Sequence, residues 1–139
     1  HQMTGVGPMC ILGAPLPVAD HAGRAVHAAL DMVAMLQVLN HERAGAGKSL
    51  LRIGVGIATG EMVAGYTGTQ SRATYTCIGN TVNLAARLES HTKEVGRMIL
   101  IDGDTCNAVG ERCETEALGA VQLRGKAAPV EVFAVRGAR

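Results

Sequence analysis

The sequence predicts a mixed α/β fold whose sheet is largely antiparallel toward the C-terminal end. Three observations predict it. Residues 22–39 are good helix formers, with Val26, Leu30, Val33 and Leu36 or Gln37 recurring at helical spacing. Short apolar runs closed off by glycine fill much of the remaining chain, as strands do. Two such runs, around 120–123 and 130–135, flank the turn residues 125–129 and read as a hairpin. The 139 residues fit one domain, and there is no repeat, low-complexity tract or linker, so 1–139 is read as a single domain.

In chain order, Met9 to Leu12 is an apolar run that stops at Gly13-Ala14-Pro15, the end of a strand. Asp20 is an N-cap candidate for the helix over 22–39, which should end near Asn40, with 45–47 as the loop that follows. Residues 50–57 alternate like a strand weakened by Gly54 and Gly56, and Gly60 breaks it. A second apolar run, 62–64, ends at Gly65, and 74–78 favours β structure. Gly79 and Asn80 turn the chain, and Thr81 can cap a helix from Val82 to about Thr92. Residues 98–101 form a short apolar strand, and Asp104 can cap a brief helix toward Val109.

Composition narrows the function classes. At 47% hydrophobic the chain can bury a core, but with two Tyr and one Phe that core must be aliphatic. A formal net charge of +1 argues against sequence-independent nucleic-acid binding, and three aromatics leave little for stacking bases. The four cysteines form no C-x-x-C pair, so zinc spacing is missing, and Cys10 and Cys77 read as reduced thiols in apolar runs of a cytoplasmic protein. No membrane span is expected, and no basic-then-apolar leader opens the chain. The first residue is His1 rather than Met, as in a fragment or a processed start.

Several motifs fail on inspection. Gly47-Lys48-Ser49 lacks the earlier glycine of a phosphate-binding loop, since Glu42 stands there, and it follows a helix instead of a strand. Gly54-Val55-Gly56 would need a third glycine where Thr59 stands, so these glycines read as a close approach of backbone or ligand to a strand. Asp102-Gly103-Asp104 would need a calcium ligand at Cys106 and reads as a turn with a helix cap. His21, His27, His41 and His91 show no metal-ligand spacing.

The segment 75–90 differs in kind, joining a strand, a glycine turn and a helix. Asn83 and Arg87 lie four apart and share one helix face, while Leu84 and Leu88 share another that can meet a sheet. An amide and a guanidinium beside a glycine turn suit an oxygen-rich anion; a surface helix with a solvated Arg fits the same pattern.

Tyr75-Thr-Cys-Ile-Gly79-Asn-Thr-Val-Asn83-Leu-Ala-Ala-Arg87-Leu-Glu89 resembles the signature of class III adenylyl and guanylyl cyclase catalytic domains. The stretches 53–65, 13–15 with 20–22, and 118–135 resemble the strand pair, strand–helix junction and C-terminal part of that family in the same order. The resemblance implies a ferredoxin-like, antiparallel-rich sheet with helices on one face, truncated relative to a full cyclase domain. It implies cyclisation of a nucleoside triphosphate, ATP above all, at a site between two domains, so the expected partner is a second copy or another cyclase domain. By the same resemblance Asn83 orients the ribose and Arg87 stabilises phosphate charge. Thr76 and Gln2 fall on base-reading positions, Gln2 where the family has Lys, and Arg124, with Lys126 as the near alternative, falls on a residue that meets the terminal phosphates.

The family uses Mg²⁺ or Mn²⁺ held by two aspartates. The first belongs to a section expected to precede His1, and Val6 stands where the second should be, so no metal ligands are expected in this chain. Without that section the sheet is expected to expose an edge and to associate with itself or a partner. The resulting expectation is the base-recognition and transition-state half of an adenylate cyclase-type site. The alternative is a catalytically inactive remnant acting as a nucleotide- or protein-binding module.

Overall fold

The computed structural model describes residues 2–4, 7–10, 12, 19–61, 63–67, 74–125 and 128–139, with backbone alone for 2–4, 7–9, 63–67 and 74–78. The chain runs β1 (Gln2–Thr4), β2 (Gly7–Met9), α1 (His21–Gly45), β3 (Val55–Ile57), β4 (Val63–Thr67), β5 (Thr74–Ile78), α2 (Asn80–Val95), β6 (Ile99–Asp102), α3 (Gly103–Val109), a 3₁₀ turn (Gly110–Arg112), β7 (Cys113–Val121) and β8 (Val130–Ala138). The main sheet has the order β3-β6-β8-β7; β3 and β6 are parallel and the other two pairings antiparallel. β1 with β2 and β4 with β5 form separate antiparallel pairs. The mixed, antiparallel-rich fold expected from sequence is the one observed.

The helices, however, lie on both faces of the sheet instead of one. β6 is buried along its whole length, and its side chains alternate. Ile99 and Ile101 pack with Val26 and Ala29 of α1, Val109 of α3 and Val135 of β8. Leu100 points the other way and packs with Leu88 of α2, Leu123, Val132 and Ala134. Each fully buried Leu or Val of these two clusters stabilises the fold by about 1.5–3 kcal/mol relative to exposure.

α1 runs to Gly45, beyond the end expected near Asn40. Asn40 does not cap the helix; its side-chain amide donates to Leu51 O at 2.9 Å and accepts from Leu51 N at 2.8 Å. Arg43 Nε donates to Ser49 O at 2.8 Å, so the returning segment is laced to the last turns of α1. That lacing holds 48–54 out of the sheet, and β3 is shorter than the strand expected over 50–57. α1 is also long and apolar enough, by length and composition, to cross a membrane, which corrects the expectation that no stretch approaches a span. Its Val26 and Ala29 nevertheless sit in the core against β6, where a helix of the domain belongs.

Asp20 occupies the N-cap position of α1 in a left-handed conformation, φ 52°, which Asp tolerates better than most residues. Its side chain makes no cap hydrogen bond; the carboxylate instead receives the Arg112 guanidinium, Nη1 at 2.5 Å and Nη2 at 3.0 Å, joining α1 to the start of β7. The hydrogen bond from Arg112 holds the Asp20 carboxyl below the usual carboxylate range. A depressed native value contributes stability above the pH where Asp20 ionises in the unfolded chain, and that contribution is lost as pH falls through the native value. Arg112→Gln should therefore return the Asp20 titration toward its ordinary value and flatten the acid limb of the stability profile. Carboxyl NMR titration checks this, and an unchanged Asp20 midpoint would show the pairing to be absent in solution.

Candidate functional site

α2 carries the site, and glycines seat it. A Cβ added at Gly56 would collide with Ala85 O and Glu89 N and lie 2.9 Å from Leu88 Cβ, so β3 accepts the α2 backbone directly only because this residue is Gly. Gly54 is under similar constraint from the Thr92 hydroxyl, which itself donates to Glu89 O at 2.5 Å. The close approach expected at these glycines is thus an approach of backbone, from α2. The helix starts at Asn80 with Gly79 as N-cap, φ 143°, a conformation left to glycine. Thr81 does not cap it: its hydroxyl donates to Glu61 O at 2.8 Å, tying the first turn to the segment after β3. Gly96, φ 66°, closes the helix through its N–H to Thr92 O. Beyond it Arg97 forks onto Glu116 of β7 at 2.9 and 3.1 Å, and this hydrogen bonding holds the Glu116 carboxyl below its usual range.

On this helix Asn83 is exposed in the first turn, and Arg87 is half-buried one turn later. Arg87 Nε donates to the main-chain carbonyl of Arg124 at 2.6 Å. The Arg124 side chain is exposed, just after the buried Leu123 that packs near Leu88. Arg87 and the main chain of Arg124, 37 residues apart in sequence, are therefore brought together where α2 meets the β7–β8 connection, with Asn83 one turn earlier on the same helix. Among the described residues no carboxylate pairs with Arg87 or Arg124, and a guanidinium without a carboxylate partner is a donor suited to phosphate oxygens.

The other expected site residues stand as follows. Thr76 lies in β5 opposite Gly65, in the strand that leads through Gly79 into α2; its side chain is outside the description. Gln2 lies in β1 opposite Met9, also known by backbone alone, and Val6 and Lys126 fall outside the described residues. The brief helix α3 is capped by Asp102, not Asp104: Oδ1 accepts from Thr105 N at 3.0 Å and from Thr105 Oγ1 at 2.6 Å. That engagement gives the Asp102-Gly103-Asp104 stretch its expected role as turn and cap. Among the described residues no three His, Cys, Asp or Glu side chains cluster as a metal site would require. Sequence reasoning missed Gly125, φ 80°, where an added Cβ would lie 2.8 Å from Arg87 Nη2; its position in an evident turn was the only signal, and turns contain many such glycines.

The chain matches the family model described as the adenylate and guanylate cyclase catalytic domain over residues 3–137. It belongs to that family. It is 29% identical over 136 residues to adenylate cyclase 1 of Rhizobium meliloti, covering 98% of this chain and 20% of that protein. Its fold matches the crystal structure of the adenylyl cyclase CyaB from P. aeruginosa with a TM-score of 0.79 and 30% identity, over 92% of this chain and 66% of that one. The guanylate cyclase domain of RhGC from Catenaria anguillulae, crystallised in complex with GTP, matches with a TM-score of 0.75 and 28% identity, over 92% and 66%. The chain thus spans a fifth of the length of its Rhizobium relative and about two thirds of the two solved domains.

Proposed function

We propose that this chain contributes the base-recognition and transition-state half of a two-domain, adenylate-type cyclase site against another, metal-competent cyclase domain, a homodimer of the chain being a non-catalytic association. The Arg87 side chain held on the main-chain carbonyl of Arg124, with Asn83 one turn ahead on α2, carries the reading. In the reaction the ribose 3′-oxygen of ATP bonds to the α-phosphorus, the bond from that phosphorus to the oxygen bridging to the β-phosphate breaks, and pyrophosphate leaves with the electron pair. The hydroxyl proton is lost to water. Negative charge builds on the phosphate oxygens, where the Arg87 guanidinium would offset it; Arg124 would meet the terminal phosphates and the Asn83 amide would orient the ribose. Thr76 and Gln2 would face the base. The GTP complex of the Catenaria domain supports a nucleoside triphosphate as ligand, and the Rhizobium and P. aeruginosa relatives, named as adenylate and adenylyl cyclases, support the adenylate type.

The Mg²⁺ or Mn²⁺ of the family does not fit the donors described here, which include no acidic or His/Cys cluster. On this reading a partner domain would supply the metal-dependent part of the chemistry. This misfit is also what favours the second reading, a nucleotide- or protein-binding module without turnover. The reading is of a cytoplasmic protein, in keeping with the free thiols of Cys10, Cys106 and Cys113.

The test is a cyclase assay with Mn²⁺ and ATP or GTP, using the chain alone and mixed with a metal-competent class III domain. The expected result is no product from the chain alone and turnover in the mixture. ATP should be preferred about tenfold or more, as one mispaired hydrogen bond at a base edge suffices to give. Product from the chain alone would overturn partner dependence, equal use of GTP would overturn the adenylate type, and nucleotide binding without turnover in the mixture would favour the second reading.

A further inference from the structure

We infer that Gly125 is a positioning residue for Arg87: the Arg124–Gly125 step is a backbone seat that sets the direction of the guanidinium. This rests on the cyclase reading for its functional meaning, but the geometry stands by itself. The Nε–H donates to Arg124 O at 2.6 Å. A Cβ on Gly125 would lie 2.8 Å from Nη2, closer than real side-chain contacts come, and 3.0 Å from Nε and 3.3 Å from Cζ of Arg87, both tighter than most. The flat guanidinium thus lies along its Nε–Nη2 edge on a peptide that has no side chain to push it away. Gly125 also holds φ 80°, so two separate requirements fix glycine here.

The colliding atoms belong to the far end of a flexible side chain. A methyl at Gly125 therefore displaces Arg87 before it disturbs the backbone. Gly119 separates the two requirements: its φ is 82°, and an added Cβ would meet nothing within 4 Å. Gly119→Ala imposes the same backbone strain without touching Arg87, and is the matched control for Gly125→Ala.

Two measurements on the full 139-residue chain test the inference. The first is solvent exchange of the arginine Nε–H groups by ¹H–¹⁵N NMR. Arg87 Nε–H should be protected in the wild type and in Gly119→Ala and should lose protection in Gly125→Ala. The second is turnover with a metal-competent cyclase domain. Gly125→Ala should lower kcat about tenfold or more with KM within about threefold, as for loss of an interaction made mainly in the transition state. It should add nothing further in an Arg87→Ala background. Retained Arg87 protection in Gly125→Ala, or equal behaviour of the two Gly variants, would overturn the inference. Loss of protection while Arg87→Ala itself leaves turnover unchanged would instead uphold the seat and reject Arg87 as a transition-state group.

Discussion

Arg87→Ala should lower turnover of the reconstituted pair by about 10²–10³ while changing KM by only about threefold, the signature of a preorganised donor acting in the transition state. The structure gives a reason for preorganisation. Arg87 is half-buried, its Nε is already bonded to Arg124 O at 2.6 Å, and no carboxylate among the described residues competes for it. A guanidinium held this way pays little reorganisation when charge appears on phosphate. Arg87→Lys should rescue poorly for two reasons. An ammonium has no planar fork for phosphate oxygens, and it has no Nε to keep the tie to Arg124. Asn83→Ala should also lower kcat, since its amide stands one turn earlier on the same helix. If Arg87 is only a solvated surface residue, all three substitutions leave kcat within a few-fold of wild type and move stability by about 0.5 kcal/mol or less. Steady-state kinetics of the three variants decides between these outcomes.

The parts of this fold that were legible in sequence are those governed by local pattern. Residues 74–78 read as a strand and are β5, and the helix after Gly79 and the C-terminal hairpin were equally plain. The misplacements came from side chains that found distant partners. Thr81 resembles a cap, but Glu61 O claims its hydroxyl. Asn40 resembles a stop, but Leu51 claims its amide, and α1 continues. Asp20 sits at the N-cap position while its carboxylate goes to Arg112, 92 residues away. β7 begins at Cys113, well before the strand expected near Ala120, because register shifts between Glu114 and Thr115 and between Ala117 and Gly119 let it stay paired with β8 through a stretch that lacks clean alternation. Cover on both faces was in fact legible in β6, whose Ile99, Leu100 and Ile101 form an unbroken apolar run of the kind found where a strand is buried on both sides.

The candidate site divides along the same line. Asn83 and Arg87 stood out because their spacing and neighbours resemble a family signature. Arg124 was found by that resemblance too, but its closeness to Arg87 was not, since it depends on how the β7–β8 connection returns over α2. The role of Gly125 was the least visible. A glycine in a turn reads as turn chemistry, and only the fold brings a guanidinium to where its side chain would be.

Gly56→Ala should be the most damaging Gly→Ala change among the described glycines, lowering stability by about 1–3 kcal/mol or more. The added carbon would meet Ala85 O and Glu89 N, both main-chain atoms of α2, together with Leu88 Cβ at 2.9 Å. None can rotate away, so the helix itself must lift from β3, and Leu88, fully buried against Leu100 and Val132, would lift with it. Gly54→Ala should cost less, because the nearest obstacle is the Thr92 hydroxyl, a side-chain atom that can turn. Gly45→Ala is the control: it lies in the last turn of α1 with nothing within 4 Å of an added Cβ, and should be neutral or stabilising by about 0.4–1 kcal/mol. The order Gly56, Gly54, Gly45 in urea denaturation midpoints follows from backbone against side chain against open space. Because α2 carries Asn83 and Arg87, the Gly56 variant should also bind nucleotide more weakly at temperatures where it remains folded. A Gly56→Ala protein as stable as the Gly45→Ala control would mean that α2 does not sit on β3 at this distance, and the placement of Arg87 beside Arg124 would have to be revised with it.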